Sequence, residues 1–322
     1  MVPPLTKTLV RPASTDAIGE AARLILAGQP VAMPTETVYG LAADATNGTA
    51  VAGIYTAKGR PSFNPLIVHV SGPEMASQLV EMSDAALRLM ERFWPGPLTI
   101  VLPLKPGGPV SSLVTAGLGT LAVRCPDHPV AQALIAAVAK PLAAPSANTS
   151  GRITPTSAAH VLKTLNGRIP LILDGGTTRA GIESTIVAIG LNDEITLLRE
   201  GAFTAEELGI PLRPAALLAT SIPTAPGQLA SHYAPRQPVR LNASSAGADE
   251  YLIGFGAIAG DANLSPSADL TEAAAKLFGA LHLAEESGKA CIAVAPIPET
   301  GLGRAINDRL RRAAAERPAD AG

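Results

Sequence analysis

Short β-branched runs alternate with alanine-rich helical patterns from the N-terminal region to residue 198, and this alternation favours an α/β fold. Residues 66–70 and 98–102 have the composition of buried strands, whereas residues 130–138 form an alanine-rich helical pattern. Because only 3% of the residues are aromatic, Ala, Leu, Val and Ile must fill the core. We therefore expect a twisted, mixed sheet with flanking helices over the first part of the chain.

A proline-rich stretch interrupts this alternation, which resumes towards the C-terminus. The prolines of this stretch are Pro211, Pro214, Pro223, Pro226, Pro235 and Pro238. Proline at this density is typical of a semi-rigid connector. The patterns beyond residue 239 then predict a small Rossmann-like α/β domain. We divide the chain into a first domain over residues 1–207, a linker over 208–238 and a C-terminal domain over 239–322.

The charge balance and the cysteine content exclude several classes of protein. The chain carries 25 Lys and Arg against 27 Asp and Glu, a net charge of −2, which excludes a disordered or polybasic chain. The N-terminus lacks the apolar core of a signal peptide, and no apolar run reaches the roughly 18 residues that span a bilayer. Cys125 and Cys291 fit neither a disulfide framework nor a thiolate metal site. We expect a cytoplasmic protein.

Common nucleotide-binding and metal-binding motifs are absent from the sequence. It contains no Walker A loop, no zinc-ligand spacing and no nucleophile elbow. Gly254, Gly256 and Gly260 resemble a dinucleotide fingerprint, but the third glycine comes one position too late. The sequence therefore predicts no metal site, and any nucleotide must be held in another way.

Two loops carry polar pairs that suit an anion. Lys58 and Arg60 are two residues apart, so both can point to one side of an extended loop. Ser146 and Asn148 follow a buried strand and offer a hydroxyl and an amide at the same spacing. Each pair alone is equally compatible with ordinary turn chemistry. Together they favour an anion-binding site, with Lys58 and Arg60 as the candidate catalytic cations.

These pairs belong to a larger pattern that resembles the threonylcarbamoyl-AMP synthase family, which groups the Sua5, YciO and YrdC proteins. Matching strings occur in the family's order at residues 34–41, 64–69, 94–99 and 183–186. Further strings at residues 231–235 and 303–310 resemble the longer, two-domain Sua5 form. The resemblance implies a YrdC-like catalytic first domain and a Sua5-type C-terminal domain.

The resemblance implies a nucleotidyltransferase that converts L-threonine, bicarbonate and ATP into threonylcarbamoyl-AMP, pyrophosphate and water. Its product is the intermediate for N6-threonylcarbamoyladenosine at position 37 of tRNAs that read ANN codons. Mg2+ is expected to accompany the ATP, since no carboxylate cluster in the sequence dictates a metal cage. A tRNA threonylcarbamoyltransferase is the implied downstream partner, while contact with tRNA or double-stranded RNA is left open.

The resemblance also assigns site residues by their positions in the matching strings. The residues implied to bind ATP are Arg60, Asn64, Thr120, Ser146, Asn148, Thr154, Arg199 and Tyr233. The residues implied to bind L-threonine are Thr37, His69, Arg124, Ala144 and Ser184. Arg124 suits the substrate carboxylate, because a guanidinium fork matches that group. Without the resemblance, His69 would be interpreted as a core histidine, and Tyr233 is either a lid over the nucleotide or part of a spacer.

Two residues depart from the family strings near the implied nucleotide site. Glu200 follows Arg199 where the family has proline, and Gln228 stands where the family often has methionine. We expect either change to alter nucleotide affinity or loop geometry.

Two other functions stay open on the sequence alone. An RNA-binding module of the same fold would use a basic or aromatic surface, but the sequence has no Lys/Arg run and few aromatic residues. A related enzyme that makes a carbamoyl adenylate would carry acylphosphatase and zinc-finger modules, which the printed sequence lacks. Threonine dependence and ATP turnover would separate these alternatives.

Overall fold

The computed structural model describes residues 7–61, 64–190, 193–210 and 232–315. The elements of the first three ranges are β1 (Leu9–Pro12), α1 (Thr15–Leu26), β2 (Val31–Met33), β3 (Gly40–Asp44), α2 (Gly48–Lys58), β4 (Ile67–His69), α3 (Pro73–Ser77), α4 (Asp84–Phe93), β5 (Leu98–Pro103), α5 (Ser112–Thr115), β6 (Thr120–Arg124), α6 (Pro129–Val138), β7 (Leu142–Ala143), α7 (Ala158–Leu165), β8 (Leu171–Asp174), β9 (Thr185–Ile189), β10 (Ile195–Arg199) and α8 (Ala205–Leu208). The elements of the last range are β11 (Val239–Arg240), β12 (Glu250–Gly254), β13 (Ala262–Asn263), α9 (Leu270–Glu286), β14 (Cys291–Val294) and α10 (Leu302–Ala314). Within the described residues, no helix is long and apolar enough to cross a membrane.

Strands β1 to β10 form one sheet in the order β1-β8-β2-β3-β7-β4-β6-β5-β9-β10. Parallel and antiparallel pairs are mixed, since β4 lies parallel to β6 whereas β5 runs antiparallel to β6. The prediction of a twisted, mixed sheet with flanking helices is confirmed.

Aliphatic side chains cover both faces of this sheet. Ile25 of α1 and Ile135 of α6 are fully buried in one cluster, together with Val31 and Met33 of β2. Ala32, between them on the same strand, belongs to a second and larger cluster. Because successive side chains of a strand point to opposite faces, the sheet is buried on both sides. The core is therefore aliphatic, as the composition requires.

The end of α2 determines where the two candidate catalytic cations lie. Asn47 caps the start of the helix by accepting hydrogen bonds from the backbone N–H groups of Thr49 and Ala50. Gly59 ends the helix in the left-handed conformation, with a φ of 59° that glycine adopts without strain. Lys58 therefore lies in the last helical turn and Arg60 in the loop beyond it, rather than both in one extended loop.

Strands β11 to β14 form a second sheet in the order β11-β14-β12-β13, and all neighbouring strands in it are parallel. Leu277 and Phe278 of α9 and Ile306 of α10 are fully buried in the cluster that includes its strand residues. This arrangement matches the predicted small Rossmann-like domain. The domain boundaries at residues 207 and 239 stay a prediction.

The glycines that resemble a dinucleotide fingerprint serve the packing of this second sheet. A Cβ added to Gly254 would lie 2.1 Å from the backbone oxygen of Ile258, and one added to Gly260 would lie 2.4 Å from that of Leu252. Both contacts are far inside the normal separation of nonbonded atoms, so the turn between β12 and β13 requires glycine at these positions. Local packing of the β12–β13 turn thus explains the spacing of Gly254 and Gly260, without a bound dinucleotide.

The C-terminal domain contacts the first domain through ion pairs and one close backbone approach. Arg304 of α10 pairs with Glu200 at 2.8 Å and with Glu206 at 2.7 Å. Gly181 has a φ of 71°, and a Cβ there would lie 2.4 Å from the Cα atom of Ala275 in α9. Helix α9 can therefore approach the first domain only because position 181 has no side chain.

We predict that Gly181→Ala destabilises the protein by about 2–4 kcal/mol, because left-handed strain is added to a backbone clash. Gly288→Ala is the matched control, since Gly288 also has a positive φ, of 75°, but no atom of the described part of the chain lies within 4 Å of its Cβ position. We expect that control to lose only about 1 kcal/mol. Urea denaturation measures both values, and equal losses would contradict the close packing of α9 on Gly181.

Candidate active site

One cavity lies against one face of the large sheet, and the end of the linker forms part of its wall. Ile67 and His69 of β4 both line it, and residues two apart on a strand share one face. His232 and Tyr233, near the end of the linker, also line it, and Tyr233 is only 1% exposed. The cavity brings together all the residues implied to bind L-threonine, namely Thr37, His69, Arg124, Ala144 and Ser184. It also brings in four of those implied to bind ATP, which are Arg60, Ser146, Arg199 and Tyr233.

The pairing of β4 with β6 puts His69 beside Arg124, because these two residues are register partners on parallel strands. Burial, and then the charge of Arg124, lowers the pKa of His69 to about 3, so the imidazole is neutral at physiological pH. Its Nδ1 atom is buried and has no hydrogen-bond partner among the described residues. A buried nitrogen without a partner is costly, so this atom is suited to a polar group of a ligand.

Arg124 is buried and carries its charge next to a carboxylate. Its Nη2 atom lies 2.6 Å from Oε1 of Glu36, and its Nε–H donates to the backbone oxygen of Gly96 at 3.4 Å. Arg124 and Glu36 are only 4% and 2% exposed. A guanidinium in this position can still receive a substrate carboxylate from the cavity side.

Arg199 reaches the cavity through a bulge in β10. The pairing of β10 with β9 shifts between Leu197 and Arg199, so that Arg199 pairs with Ile186. Such a shift re-aims a side chain. The Arg199 guanidinium donates to the backbone oxygen of Ser184 at 2.8 Å and to its hydroxyl at 3.2 Å. Burial lowers the pKa of Arg199 to about 10, which still leaves it charged at neutral pH.

Ser184 is fixed from a second side as well. Its hydroxyl lies 2.7 Å from the hydroxyl of Thr99 on β5. The contact joins the start of β9 to β5, its parallel neighbour. Ser184 thus has a defined orientation at the cavity wall before any ligand binds.

Lys58 lies behind the cavity wall and organises the turn that carries Ser146. Its ammonium donates to the backbone oxygens of Ser146 at 2.6 Å and of Asn148 at 2.5 Å. The Ser146 hydroxyl donates to the Asn148 side-chain oxygen at 2.6 Å, so Asn148 supports the same turn. Lys58 is 2% exposed, and burial, followed by the charge of Arg60, lowers its pKa well below the usual range. Direct contact of Lys58 with a phosphate stays a prediction.

Arg60 lines the cavity and is held by backbone carbonyls. It donates to the oxygens of Asn64 at 3.3 Å and Pro65 at 3.0 Å. Burial lowers its pKa to about 10. The Asn64 side chain is 1% exposed, and both its amide atoms lack a hydrogen-bond partner among the described residues.

Several predicted site residues do not line the cavity. They are Lys58, Asn64, Thr120, Asn148 and Thr154. Thr120 lies instead at a neighbouring depression beside Pro65 and Leu118. Thr154 is one contact away, because its hydroxyl donates to Oε1 of Glu183 at 2.8 Å. The ATP assignments of these residues stay predictions.

The structure adds site residues that the sequence did not single out. Thr35 and Glu183 line the cavity and occur in the matching strings, so the strings themselves were the available signal. Arg309 of α10 lies outside the cavity, but its Nε atom is 3.1 Å from Oε2 of Glu183. Its guanidinium carbon also lies 5.8 Å from the centre of the Tyr233 ring. The C-terminal domain therefore reaches the cavity wall through one fully buried arginine.

The described residues contain no group of three or more His, Cys, Asp or Glu side chains that could hold a metal ion. Glu183, a carboxylate in the cavity wall, already accepts from Thr154 and Arg309. These residues do not form a protein cage for a cation.

The first of the two sequence departures has a structural role. Glu200 pairs with Arg304 of the C-terminal domain at 2.8 Å, so its charge is compensated at the domain interface. Gln228, the second departure, lies outside the described residues.

Two overlapping family models match the chain. The Sua5_yciO_yrdC family model, described as "Telomere recombination", matches residues 23–201. The model described as "Threonylcarbamoyl-AMP synthase, C-terminal domain" matches residues 194–315. The chain is 41% identical to the threonylcarbamoyl-AMP synthase of Bacillus subtilis, with 93% of each chain covered. It is 40% identical to that of Pyrococcus abyssi, with 92% of this chain and 94% of the relative covered.

Solved structures give the same result for the fold. The crystal structure of P. abyssi Sua5 complexed with L-threonine matches with a TM-score of 0.86 and 38% identity, covering 95% of this chain and 96% of the other. Escherichia coli YciO matches 60% of this chain and 93% of its own with a TM-score of 0.55 and 21% identity, which supports the fold of the first domain alone. The chain therefore belongs to the threonylcarbamoyl-AMP synthase family, in its two-domain Sua5 form.

Proposed function

We propose that this chain makes threonylcarbamoyl-AMP from L-threonine, bicarbonate and ATP, and releases pyrophosphate and water. The observation that carries the proposal is the convergence of all the positions implied to bind L-threonine on one cavity, together with Arg60 and Arg199. The names of the relatives support it, as does the threonine bound to P. abyssi Sua5. The product would be the first intermediate of N6-threonylcarbamoyladenosine formation at position 37 of tRNAs that read ANN codons.

Arg124, His69 and Ser184 would form the amino-acid half of the site. The Arg124 guanidinium binds the threonine carboxylate, since it is already fixed in the cavity wall. His69 is neutral and its Nδ1 has no partner among the described residues, so it can accept a hydrogen bond from the substrate without repelling its ammonium group. Thr37 and Ala144 complete the walls of this half.

Arg60 and Arg199 would form the phosphate half of the site. Bicarbonate takes up a proton and loses water to give CO2, the neutral threonine amine captures the CO2 as a carbamate with loss of a proton, and a carbamate oxygen then attacks the α-phosphate while pyrophosphate leaves. This nucleotidyl transfer needs no covalent enzyme nucleophile, so catalysis rests on positioning and on cations that stabilise the phosphate charge. Lys58 would act on the same half by ordering the turn of Ser146, a residue that lines the cavity. Mg2+ would enter on the triphosphate rather than on a protein cage.

Tyr233 would serve as a lid over the nucleotide. It has a φ of 63°, an unusual backbone conformation for a tyrosine, and its ring packs 5.4 Å from that of Phe278 in α9. The next residue, Ala234, donates its backbone N–H to the oxygen of Gly151 at 2.9 Å. This anchoring holds the ring over the cavity, where it would exclude water from a labile mixed anhydride.

The implied partner is a tRNA threonylcarbamoyltransferase that consumes the product. The intermediate is labile, so production and use would be closely coupled. Direct contact with that enzyme or with tRNA is not needed for the synthesis itself.

The first prediction concerns the reaction. Purified protein given ATP, Mg2+, bicarbonate and L-threonine should yield threonylcarbamoyl-AMP by mass spectrometry, with pyrophosphate release. Omission of any one of the three substrates should abolish the product. Folded protein that makes no product but binds RNA tightly would instead support an RNA-binding module, and a carbamoyl adenylate formed without threonine would support the related carbamoyl-transfer enzyme.

The second prediction concerns the phosphate half. Arg60→Ala should lower the rate of pyrophosphate formation by roughly 100-fold or more, because one preorganised cation is lost from the transition state. Lys58→Ala should also abolish measurable activity, through loss of the Ser146 turn. Arg88→Ala, on the exposed face of α4, is the control and should retain full activity. Wild-type rates in both site variants, with the fold verified by circular dichroism, would refute the assignment.

The third prediction concerns the lid. Tyr233→Ala should raise the KM for ATP or cause pyrophosphate release to exceed product accumulation, because water enters the site. Tyr233→Phe keeps the ring against Phe278 and Arg309, so it should stay close to wild type. Unchanged kinetics in Tyr233→Ala would make the linker a spacer.

A further inference from the structure

Glu36 is a buried carboxylate to which the proposed mechanism gives no role. Its side chain is 2% exposed, and neither of its oxygens accepts a hydrogen bond from any described residue. The residues on either side of it, Thr35 and Thr37, line the cavity, whereas Glu36 does not. A buried, ionised carboxylate is costly unless a cation compensates it. The compensating cation is Arg124, at 2.6 Å.

The form of this ion pair leaves the guanidinium available. The strongest pairs between arginine and a carboxylate are bidentate, with two parallel N–H···O hydrogen bonds. Here one Nη2 atom approaches one oxygen, and no N–H bond is aligned along the contact. The Nε–H group is directed to the Gly96 carbonyl oxygen instead. Glu36 therefore balances the charge of Arg124 from outside the cavity through one nitrogen, rather than through a bidentate pair.

The other charges near this pair do not supply the same balance. Asp127 and His128 lie on the side of Glu36, but Asp127 is half-exposed and pairs with the exposed Arg179 at 2.7 Å. Burial lowers the pKa of His128, so it is neutral at physiological pH. His69, on the cavity side, is neutral as well, and the cation Arg199 on that side has the carboxylate of Glu183 near it. Among the described residues, Glu36 is thus the buried carboxylate in contact with Arg124.

We propose that Glu36 is the internal counter-ion of Arg124, which holds the guanidinium in place and keeps small anions out of the carboxylate subsite. The proposal rests on the proposed function, because it takes Arg124 as the partner of the threonine carboxylate. Glu36 is a positioning residue, since it acts on the substrate through Arg124.

The physical consequence is a preference for zwitterions. An amino acid carries a carboxylate and an ammonium group, so its dipole can align with the field of a neutral Arg124–Glu36 pair. A simple monoanion such as acetate carries no such positive group, and the charge of Glu36 largely cancels the attraction of Arg124 for it. Specificity would then come from the Glu36 carboxylate, which repels anions, beside the Arg124 guanidinium, which attracts them.

Inhibition by acetate tests the proposal. Glu36→Gln keeps the size of the side chain but removes its charge, so the guanidinium is left uncompensated. We expect acetate to compete with L-threonine in both proteins at constant ionic strength. Its Ki in Glu36→Gln should be at least tenfold lower than its Ki in the wild type. The KM for ATP should stay within twofold, because the phosphate half is unchanged.

Asp44→Asn is the matched control for this experiment. Asp44 is also a buried carboxylate paired with a cation, Lys140 at 2.6 Å, but it does not line the cavity or contact Arg124. The Asp44→Asn substitution should leave the acetate Ki unchanged. If acetate inhibits Glu36→Gln no more strongly than the wild type, or inhibits both variants equally, the counter-ion role is wrong.

Two further measurements keep the test decisive. Should Glu36→Gln fail to fold, Glu36→Asp retains the charge at a greater distance, and its acetate Ki should fall at least threefold; an unchanged Ki overturns the proposal. The rise in melting temperature caused by acetate does not depend on turnover, and it should be larger in Glu36→Gln than in the wild type. A wild-type protein that makes no product refutes the proposed function, whereas equal acetate shifts in both proteins refute the counter-ion.

Discussion

The cost of burying positive charge constrains the whole site. Lys58, Arg60, Arg124 and Arg199 surround one cavity or its wall, and each is withdrawn from water to a large degree. An isolated buried cation is unstable, so every one of them requires an oxygen partner from the protein. Carbonyl groups serve Lys58, Arg60 and Arg199, whereas Glu36 serves Arg124. Carbonyl oxygens carry only partial charge, so Arg60 keeps most of its attraction for an anionic ligand, whereas the carboxylate of Glu183 also acts on Arg199.

This constraint also explains how the two domains depend on each other. Arg309 belongs to the C-terminal domain and is fully buried, and its partner Glu183 belongs to the cavity wall of the first domain. Burial acts against the charge of Arg309, but neighbouring charges outweigh it and raise the pKa of Arg309, so its guanidinium stays charged. Glu183 in turn accepts the Thr154 hydroxyl, and the Arg309 guanidinium lies under the Tyr233 ring. Separation of the domains would leave Glu183 without its cation and the ring without its support. The extra domain thus contributes directly to the wall of the site and to the packing of Tyr233.

The strand pairings supply the accuracy that such a site needs. His69, Arg124 and Thr99 lie on three adjacent strands and are aligned by register, so their positions follow from backbone hydrogen bonds rather than from a loop. Side chains on a sheet lose little further freedom when a ligand binds. The bulge in β10 and the end of α2 at Gly59 then place Arg199 and Arg60 at the rim of this rigid surface.

The sequence alone determined the α/β class, the second small domain and the family, because these depend on local periodicity and on strings of adjacent residues. Strand β3 was missed, since its sequence Gly-Leu-Ala-Ala-Asp has little strand preference and becomes a strand only by pairing with β2 and β7. Strand β1 was also missed. It is a strand because it pairs with β8, which is remote in the chain, with Leu9 opposite Leu171. Only the tertiary structure decided that Lys58 binds carbonyl oxygens, that Glu36 faces Arg124 and that Arg309 reaches Glu183. Burial and charge pairing are set by residues far apart in sequence, and no local pattern encodes them.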